Sequence, residues 1–538
     1  MSVYNPVARD EKDICKFICD KYEKLKLAKS TWENHWRELA EYFQPNKNNI
    51  WGGGIKGDKK GAELFDATGI RHAERFASFL YGMMINPAVA WITFSTGDEI
   101  IDNDPDAAKW IQDTSRKVLF TMNNSNFPVE AWEVFMDLAT FHTSHMRLEE
   151  DAEEVIRCTS RPIYEVAISE NYKGDVDCSH YEYKVTVEQL CQEFGEVVPE
   201  EVKKLRFQDP LKEYTILHAI EPSYNFPATI KHPMLAYTSI RILKETYTKL
   251  EVKGFEENPV IITRLQKLSG EMYGRGPAMR ALPDIKTANA MMRTWVEGAQ
   301  LAIQPPIQAP DEGVLLPVKL TPGGTNYYRA DSKDRIEPII TGGNPNIGYQ
   351  IIELLHKNIR EAFYLDQMQL VENDRMTATE VMQRKDENFR SLASFTARIH
   401  NEFLVPAVIR TMKIMSRRGL ITPMPDVLNG KKLEIKFISQ LARSQQTVDM
   451  DALLRAYQVT ESIAKTDPTV MDAIDLGSLV RSTFKGYNAP LHVLRSTEEE
   501  AQIKQARAEQ QAQANNAEIA KSESEAARNM AQAETKGV

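Results

Sequence analysis

The sequence predicts an α+β protein that is mainly helical. Three long segments between residues 283 and 420 repeat apolar residues every three or four positions, which is the spacing of one helix face. From Met146 to Tyr183 the period is closer to two, as is typical of strands, and further short strands are expected to about Ile262. With 538 residues, of which 42% are hydrophobic, the chain is long enough for two or more domains with sizeable cores.

The N-terminal part is expected to alternate helices with strands. Apolar residues at helical spacing predict helices over Ala8–Tyr42, Ala67–Met84, Asp106–Met122 and Val129–Phe141. The run Pro87–Phe94 is predicted to end as a strand. A β-rich patch with a turn at Gly174-Asp175, a helix over Val187–Phe194 and further short strands complete this part.

Two helices then bracket a segment dense in proline and glycine. Pro283 is expected at the start of the first, where a missing N–H is tolerated, and Asn344-Pro345 opens the second. Each helix has about 18–20 residues and is therefore about 30 Å long. Their apolar stripes are Ile285, Ala288, Met292, Trp295, Ala299 and Ile303 in the first and Ile347, Ile351, Ile352, Leu355, Ile359 and Phe363 in the second.

The segment between these helices is predicted to form a small β subdomain. Val314–Leu316 and Ile336–Ile340 have strand character, and the prolines that interrupt them favour edge strands. Pro322-Gly323-Gly324 is typical of a turn. A structureless loop of about 40 residues is improbable in a compact domain, so we expect a subdomain that needs partners. A β-hairpin insertion in a helical enzyme remains the alternative.

A third helix is predicted from the capping box Thr377-x-x-Glu380 almost to Gly419, a suitable residue to follow a helix. Its length would be about 60 Å, and Pro406 is expected to kink or break it. Farther along, helices are predicted over Asp449–Ala464 and Pro468–Ser482. The tail from Thr497 favours helix but lacks an apolar seam, so it is expected to be helical only when assembled, with an unstructured tail as the alternative.

No motif for catalysis or cofactor binding is recognisable. The chain contains no G-x-x-x-x-G-K-[ST], H-E-x-x-H or G-x-S-x-G sequence. His142 and His145 precede several acidic residues, but no further metal ligand is identifiable. The five cysteines lack metal-ligand spacing, which favours free buried thiols in a reducing cytoplasm. We therefore predict no catalytic residue, metal, cofactor or membrane-spanning segment, and no enzymatic activity.

Several short blocks occur in an order that identifies a family. They are Trp32 to Pro45, Phe65-Asp66-Ala67-Thr68, Asn86-Pro87 to Trp91, and Tyr273-Gly274-Arg275-Gly276-Pro277 followed by Ala281 to Lys286. Over about residues 30–425 the chain resembles the portal, or head-to-tail connector, proteins of short-tailed, podovirus-type bacteriophages. Gly274 and Gly276 are expected to turn the backbone sharply before Pro277. One departure is His142, where the resemblance implies a glycine after the aromatic residue.

The resemblance implies a homododecameric ring around a DNA channel, placed at one vertex of the capsid. Such a ring is the conduit for packaging and ejection of double-stranded DNA, without sequence specificity. Its implied partners are the major capsid and scaffolding proteins, the large terminase motor, and then tail adaptor or nozzle proteins, with assembly in the host cytoplasm. The implied parts are an N-terminal α+β wing (1–283), a first stem helix (284–303), a clip (304–345), a second stem helix (346–364), a channel loop (365–376), a long kinked wing helix (377–425), a crown (426–496) and a C-terminal tail (497–538).

The resemblance also assigns three groups of functional residues. The channel loop would present Gln367, Met368, Gln369, Leu370, Glu372, Asn373, Asp374 and Arg375. Packing between neighbouring stems would use Ile285, Met292, Trp295, Ile351, Leu355 and Ile359. Docking at the clip would use Pro322, Gly323, Gly324, Tyr327, Tyr328 and Arg329.

The acidic balance of the chain fits a conduit better than a DNA-gripping protein. The net charge is −10 and the pI is near 5.7, whereas a protein that binds DNA over a wide face is usually basic. Each neutralised phosphate adds affinity, and DNA that must slide should not be held tightly. Another ring-shaped virion component, such as a tail adaptor, and a DNA-packaging enzyme remain the alternatives.

Overall fold

The structure is a computed structural model of the 538-residue chain. It describes residues 11–47, 59–61, 63–86, 90–102, 104–226, 235–308, 337–339, 345–368, 392–437, 440–465, 470, 474–487, 489, 493–494 and 497–535. Within these residues the protein is mainly helical with smaller sheets, which agrees with the predicted α+β class.

The helices of the described part follow the predicted order closely in the N-terminal region. They are α1 (Glu11–Phe43), α2 (Thr68–Met84), α3 (Glu99–Asp102), α4 (Pro105–Asn124), α5 (Phe127–Thr140), α6 (Val187–Phe194), α7 (Glu200–Leu205), α8 (Pro277–Ile303), α9 (Pro345–Ala362), α10 (Leu365–Met368), α11 (Ala393–Ile399), α12 (Val405–Arg417), α13 (Gln440–Ala464), α14 (Leu476–Gly486) and α15 (Thr497–Thr535).

All strand pairs in the described part are antiparallel. The strands are β1 (Ile92–Ser95), β2 (Thr143–Asp151), β3 (Val155–Arg161), β4 (Val166–Glu170), β5 (Val176–Thr186), β6 (Glu213–Pro222), β7 (Tyr237–Leu243), β8 (Thr248–Phe255), β9 (Val260–Arg264), β10 (Ile307–Gln308), β11 (Glu337–Pro338) and β12 (Glu434–Phe437). They form sheets in the orders β3-β2-β9, β4-β5-β6-β7-β8, β1-β12 and β10-β11.

The chain divides into two compact units. The first comprises Met1–Asn86 and Thr121–Ile414, and the second comprises Pro87–Phe120 and Met415–Val538. The sequence placed residues 87–120 with the N-terminal wing. By packing they group with the C-terminal region, because β1 pairs with β12 from Ile92 opposite Phe437 to Ser95 opposite Glu434.

In the first unit, both faces of the sheet β4-β5-β6-β7-β8 are covered by helices. The apolar side of α1, including Ile14, Ile18 and Tyr22, packs on Leu217 and Ile240 of one face. The opposite face packs against α6, α7 and the turn between them. These contribute Val187, Leu190, Val198 and Val202, which lie on Ile216, Leu243 and Leu250. The predicted turn at Gly174 is confirmed, since its φ of 85° lies in the left-handed region that glycine favours.

The packed pair α8 and α9 also belongs to the first unit. The sequence expectation that Pro283 starts the first helix is wrong: α8 begins at Pro277 and contains Pro283 in its interior. Pro277, directly after Gly276, takes the first helical position where a missing N–H does no harm. The second helix, α9, begins at Pro345 as predicted and ends at Ala362.

The described part of the predicted third helix runs from Ala393 to Arg417. It contains a π-helix over His400–Leu404, which ends two residues before Pro406, and the chain stays helical through the proline instead of breaking there. Within the π-helix, the Glu402 carboxylate accepts hydrogen bonds from the backbone N–H of Arg264 (2.8 Å) and from its guanidinium (3.2 and 2.9 Å). The capping box at Thr377 and Glu380 lies outside the described residues.

The second unit contains several helices and the short sheet β1-β12. Helix α13 begins nine residues before the predicted Asp449, and α14 begins at Leu476 instead of Pro468. The α14 start follows Asp475, whose carboxylate accepts from the N–H groups of Gly477 (2.9 Å) and Ser478 (3.2 Å). The tail forms the helix α15, whose described side chains are exposed apart from the half-buried Ile503.

Candidate functional site

The start of α8 is fixed by a histidine from another element. His142, between α5 and β2, has a φ of 61° and is fully buried. Its Nδ1 donates to the carbonyl of Leu138 (3.0 Å), and its Nε2 accepts from the N–H of Met279 in the first turn of α8 (3.3 Å). This bond satisfies a donor that has no partner within the helix. Burial lowers the pKa of His142 to about 3, so the ring is neutral and can accept.

Gly274 and Gly276 are required by close packing against His142. A Cβ at Gly276 would lie 2.5 Å from Nδ1 of His142, and one at Gly274 would lie 2.2 Å from its carbonyl oxygen. The φ of Gly276 is −178°, which is extended backbone that other residues also adopt. The expected sharp turn is therefore wrong for Gly276, because its lack of a side chain makes room for the imidazole.

Two of the sequence blocks meet beside this histidine. Trp32 and Trp36 of α1 contact the Tyr273 ring, with centroid distances of 5.6 and 5.0 Å. The Arg275 guanidinium lies 5.0 Å from the Trp32 ring and is paired with Glu271. A cavity of about 400 Å³ lies between α1 and residues 270–275. Trp32 thus contacts both Tyr273 and Arg275, so this cluster anchors the segment before α8.

Lys29 closes the edge of the adjoining sheet. This buried side chain of α1 donates to the carbonyls of Tyr164 (2.7 Å) and Val166 (3.3 Å), and its Nζ lies 3.2 Å from Glu33. Burial lowers the pKa of Lys29. Val166 begins the edge strand β4. The Lys29 ammonium therefore hydrogen-bonds a carbonyl that could otherwise pair with a strand of another chain.

The Phe65–Thr68 block ties the base of α8 to the base of α9. The Asn289 side-chain oxygen in α8 accepts from the N–H groups of Phe65 (2.7 Å) and Asp66 (3.1 Å). The Asp66 carboxylate in turn contacts Nε2 of His356 in α9 at 2.8 Å. Burial alone would raise the pKa of Asp66, but the hydrogen bonds from Thr68 and His356 outweigh it and lower the pKa.

The six residues predicted to pack between stems divide into three classes of exposure. Ile285 and Ile359 are buried inside their own chain, so the expectation that they face a neighbour is corrected. Ile285 lies against Gly69 of α2, where its Cδ1 would be 2.9 Å from an added Cβ. Met292 and Leu355 are half-buried, whereas Trp295 and Ile351 are 37% and 41% exposed. Four of the six thus remain available to a second copy.

The clip residues Pro322, Gly323, Gly324, Tyr327, Tyr328 and Arg329 lie outside the described residues. The base of that segment is described: Ile307 pairs with Pro338 and Gln308 pairs with Glu337 in the ladder β10-β11. Because this sheet has only two strands, Pro338 lies in an edge strand, as the sequence predicts. The exit from α8 and the approach to α9 are thereby held together.

The predicted channel loop is described only at its beginning. Leu365–Met368 form α10, so Gln367 and Met368 lie on a short helix. The remaining predicted residues, Gln369, Leu370, Glu372, Asn373, Asp374 and Arg375, lie outside the described residues.

Within the described residues, no group of three or more His, Cys, Asp or Glu side chains could hold a metal ion. The two histidines considered from sequence have other surroundings. His142 binds Leu138 and Met279, while His145 is buried among residues that include Arg147 and Arg161. Burial lowers the pKa of His145 to about 3. None of the described helices is long and apolar enough to cross a bilayer.

Comparison with known proteins places these features in a family. The family model of the bacteriophage head to tail connecting protein matches residues 16–494, which is most of the chain. The chain belongs to this family. Among curated proteins, this connector is 25% identical over 472 residues to a probable portal protein of Bordetella phage BPP-1, covering 86% of this chain and 85% of that protein. It is also 25% identical over 470 residues to the portal protein of Salmonella phage epsilon15, covering 85% of this chain and 84% of that protein.

The family match includes α1, the α8–α9 pair and the segment that joins them, whereas α15 lies beyond it. The blocks quoted from the sequence are therefore parts of the connector fold that contact one another: Trp32 meets Tyr273, and Asp66 meets His356. The contribution of His142 was missed by sequence reasoning. Its only sequence signature was the absence of an expected glycine.

Proposed function

We propose that this connector protein is a portal protein. It forms a closed ring at one vertex of a bacteriophage capsid.

 Double-stranded DNA enters through the ring during packaging and leaves through it during ejection. Family membership and the portal proteins of two phages, similar over most of this chain, support the proposal.

The observation that carries the proposal is the apolar surface of the α8–α9 pair. A single copy leaves Trp295, Ile351 and Leu354 partly in water, with 37%, 41% and 58% of each side chain exposed. Apolar surface of this kind is stabilised when a partner covers it. A neighbouring copy related by a ring axis would cover the stripe on every subunit at once. We therefore assign Met292, Trp295, Ile351 and Leu355 to the contact between subunits.

The remaining parts follow from this assignment. We assign α8 and α9 to the stem, residues 304–345 to a clip that binds the packaging motor and later the tail, and residues 365–376 to a channel loop. The long helix that ends at Arg417 belongs to the wing, and α13 and α14 belong to the crown. The major capsid and scaffolding proteins, the large terminase and the tail adaptor or nozzle proteins are the proposed partners of the ring.

DNA is proposed to pass without being held. The net charge of −10 disfavours a wide phosphate-binding face. In the sequence of the proposed channel loop, Arg375 is the single cation and follows Asp374. Weak affinity for phosphates, repeated around an axis, lets the duplex slide. We propose that the loop also acts as a gate that retains the packaged genome.

Mass photometry of the purified protein tests the ring. The chain has a mass of 61.2 kDa, and a portal gives one dominant species at the mass of a dodecamer. Negative-stain images should show a central channel in that species. A monodisperse 61.2-kDa monomer at micromolar concentration and native salt would exclude a self-assembling ring. Nucleotide-hydrolysis and metal-dependent nuclease assays on the same sample separate a conduit from a packaging enzyme.

A further inference from the structure

We infer that Tyr364 is a positioning residue, whose side chain fixes the direction in which the chain leaves α9. It does so by joining α9 to α8 and α11 at a single point. The geometry stands by itself, whereas the consequence for DNA rests on the proposed portal function.

The helices α9 and α12 are both followed by a residue with positive φ, but the residues differ. After α12, Gly419 has a φ of 69°, and its N–H and that of Leu420 donate to the carbonyls of Ser416 and Met415, both at 3.0 Å. After α9, Tyr364 has a φ of 57°, and its N–H donates to Glu361 at 3.0 Å. This left-handed position usually holds glycine, because a Cβ is disfavoured there. A tyrosine in it requires another explanation.

The Tyr364 side chain makes contacts that a glycine could not make. Nη2 of Arg280, in α8, donates to the tyrosine hydroxyl at 3.0 Å, and the guanidinium lies 5.4 Å from the ring centroid. On α11, the Phe395 ring lies 5.6 Å away at an angle of 67°. One side chain therefore connects three helices at the point where α9 ends.

The residues on both sides of Tyr364 are anchored in the core. Phe363 is fully buried and contacts Phe43 and Phe76, with centroid distances of 5.6 and 6.0 Å. Leu365, the first residue of α10, is 4% exposed. With both neighbours held, the backbone angles of Tyr364 determine the angle between α9 and α10. The contacts with Arg280 and Phe395 keep those angles in the disfavoured region.

The joint lies at the start of the segment assigned to the channel loop. Helix α10 ends at Met368, so Tyr364 sets where that segment begins relative to the α8–α9 pair. In a ring the same joint occurs once in every subunit. Tyr364 would then give all copies of the segment one common starting direction.

Hydrogen–deuterium exchange of the full-length purified protein tests the positioning role. The variants are Tyr364→Gly, which removes every side-chain contact, and Tyr364→Phe and Arg280→Ala, which remove the hydroxyl bond. We expect amides of residues 365–368 to exchange about tenfold faster in the glycine variant and about threefold faster in the other two. Tyr247→Gly is the matched control, because Tyr247 also has a positive φ (51°) but lies between β7 and β8.

A positioning role and simple backbone strain at Tyr364 predict opposite effects of Tyr364→Gly on amide exchange. If the tyrosine were only a strained helix end, Tyr364→Gly would relieve the strain, and exchange at 365–368 would stay unchanged or become slower. Either result overturns the inference. Retained genome length in phage particles then tests the consequence for DNA: shortened genomes in Tyr364→Gly but not in Tyr247→Gly support it, and full-length genomes refute it. Loss of the ring in the unmodified protein would refute the proposed function instead.

Discussion

The imidazole of His142 occupies the space that a side chain at Gly276 would need. An added Cβ at Gly276 would lie 2.5 Å from Nδ1 and 2.9 Å from Cγ of that ring. The same ring accepts the Met279 N–H at the first turn of α8. The strand β2 and the helix α8, which are far apart in sequence, are thus joined through one neutral histidine and one missing side chain.

Replacing Gly276 with alanine should destabilise the first unit. The new methyl group would displace the His142 ring and weaken its bond to Met279, and overpacking of a filled core costs about 1–3 kcal/mol. Thermal unfolding of the purified variant measures the effect.

Gly298→Ala is the matched control, because Gly298 lies in the same helix with nothing within 4 Å of an added Cβ. That change should stabilise the protein slightly, by about 0.5–1 kcal/mol. Equal melting temperatures for the two variants would contradict the steric argument.

Acid should destabilise the protein well above the pH at which carboxylates protonate. Burial lowers the pKa of His142 and His145 from 6.5 to about 3, that of His72 to about 4, that of His218 well below 6.5, and that of His35 as well. Below pH 6.5 the histidines of the unfolded chain bind protons that the folded chain excludes. Their contribution to the free energy of unfolding is therefore fully present above pH 6.5 and is lost as the pH is lowered. Each histidine contributes a slope of about 1.4 kcal/mol per pH unit. Urea unfolding between pH 7.5 and 4.5, at fixed protein concentration, measures the sum.

A single substitution separates this effect from general acid sensitivity. His145→Gln removes one of these titrating rings, and neither ring nitrogen of His145 has a hydrogen-bond partner among the described residues. The slope should fall by the share of one ring, about 1.4 kcal/mol per pH unit. The carboxylates Asp66 and Glu221 have pKa values below their usual range and lose stabilising interactions only at lower pH. An unchanged slope in His145→Gln would mean that other groups cause the acid sensitivity.

Local sequence patterns predicted most helices of the first 200 residues to within a few positions. Helix α2 was expected over Ala67–Met84 and occupies Thr68–Met84, while α6 matches Val187–Phe194 at both ends. These ends depend on nearby residues. The capping box of Thr186 and Gln189, for example, lies entirely within four residues. Where the determinants are local, periodicity and caps were sufficient.

The sequence predictions failed where a residue distant in sequence determines the local structure. Helix α8 starts at Pro277 because His142, more than 130 positions earlier, accepts the N–H of Met279. Strand β12 has only four residues and forms against β1, so neither pattern is strong alone. At Pro406, the sequence indicates a disruption but cannot show that a π-helix accommodates it and directs Glu402 to Arg264. The buried state of Ile285 and Ile359 also depends on packing that periodicity does not specify.

The contact between Asp66 and His356 should stabilise the base of the α8–α9 pair. Replacing His356 leaves the buried Asp66 carboxylate without one of its partners, which costs about 1–3 kcal/mol. A double-mutant cycle with Asp66→Asn and His356→Ala isolates the pair, and a coupling energy of about 1 kcal/mol is expected. Lys357→Ala is the control, since Lys357 is a neighbouring exposed residue of α9 that pairs only loosely with Glu361 (3.8 Å). Strictly additive effects would show that the two side chains act independently.

A charge at Trp295 should prevent ring formation and leave the chain folded. Trp295 is 37% exposed on α8, and aspartate there would place an unpaired carboxylate in the proposed apolar contact, at a cost of several kcal/mol per subunit. Mass photometry should show monomers or small oligomers, while circular dichroism remains that of the unmodified protein. Phe207→Asp is the control, because Phe207 is 89% exposed on the lobe that contains α7. A normal yield of rings from Trp295→Asp would place this residue outside the contact between subunits.

Replacing the interior of the clip should abolish partner binding without preventing assembly. The ladder of Ile307–Gln308 with Glu337–Pro338 closes the base of this segment, so a short Gly-Ser linker in place of residues 309–336 leaves the ends of α8 and α9 joined by the same pairs. The Asp66–His356 contact and the apolar stripe of the stem lie outside the replaced residues and should be unaffected. We therefore expect rings of normal subunit number that no longer bind the purified terminase motor or tail adaptor.

As a control, Tyr327→Ala and Arg329→Ala in the intact chain should weaken binding of the same partners without changing ring yield. If the linker variant unfolds the first unit, residues 309–336 are part of its core and the clip assignment is wrong; if the variant binds both partners normally, the docking surface lies elsewhere on the ring.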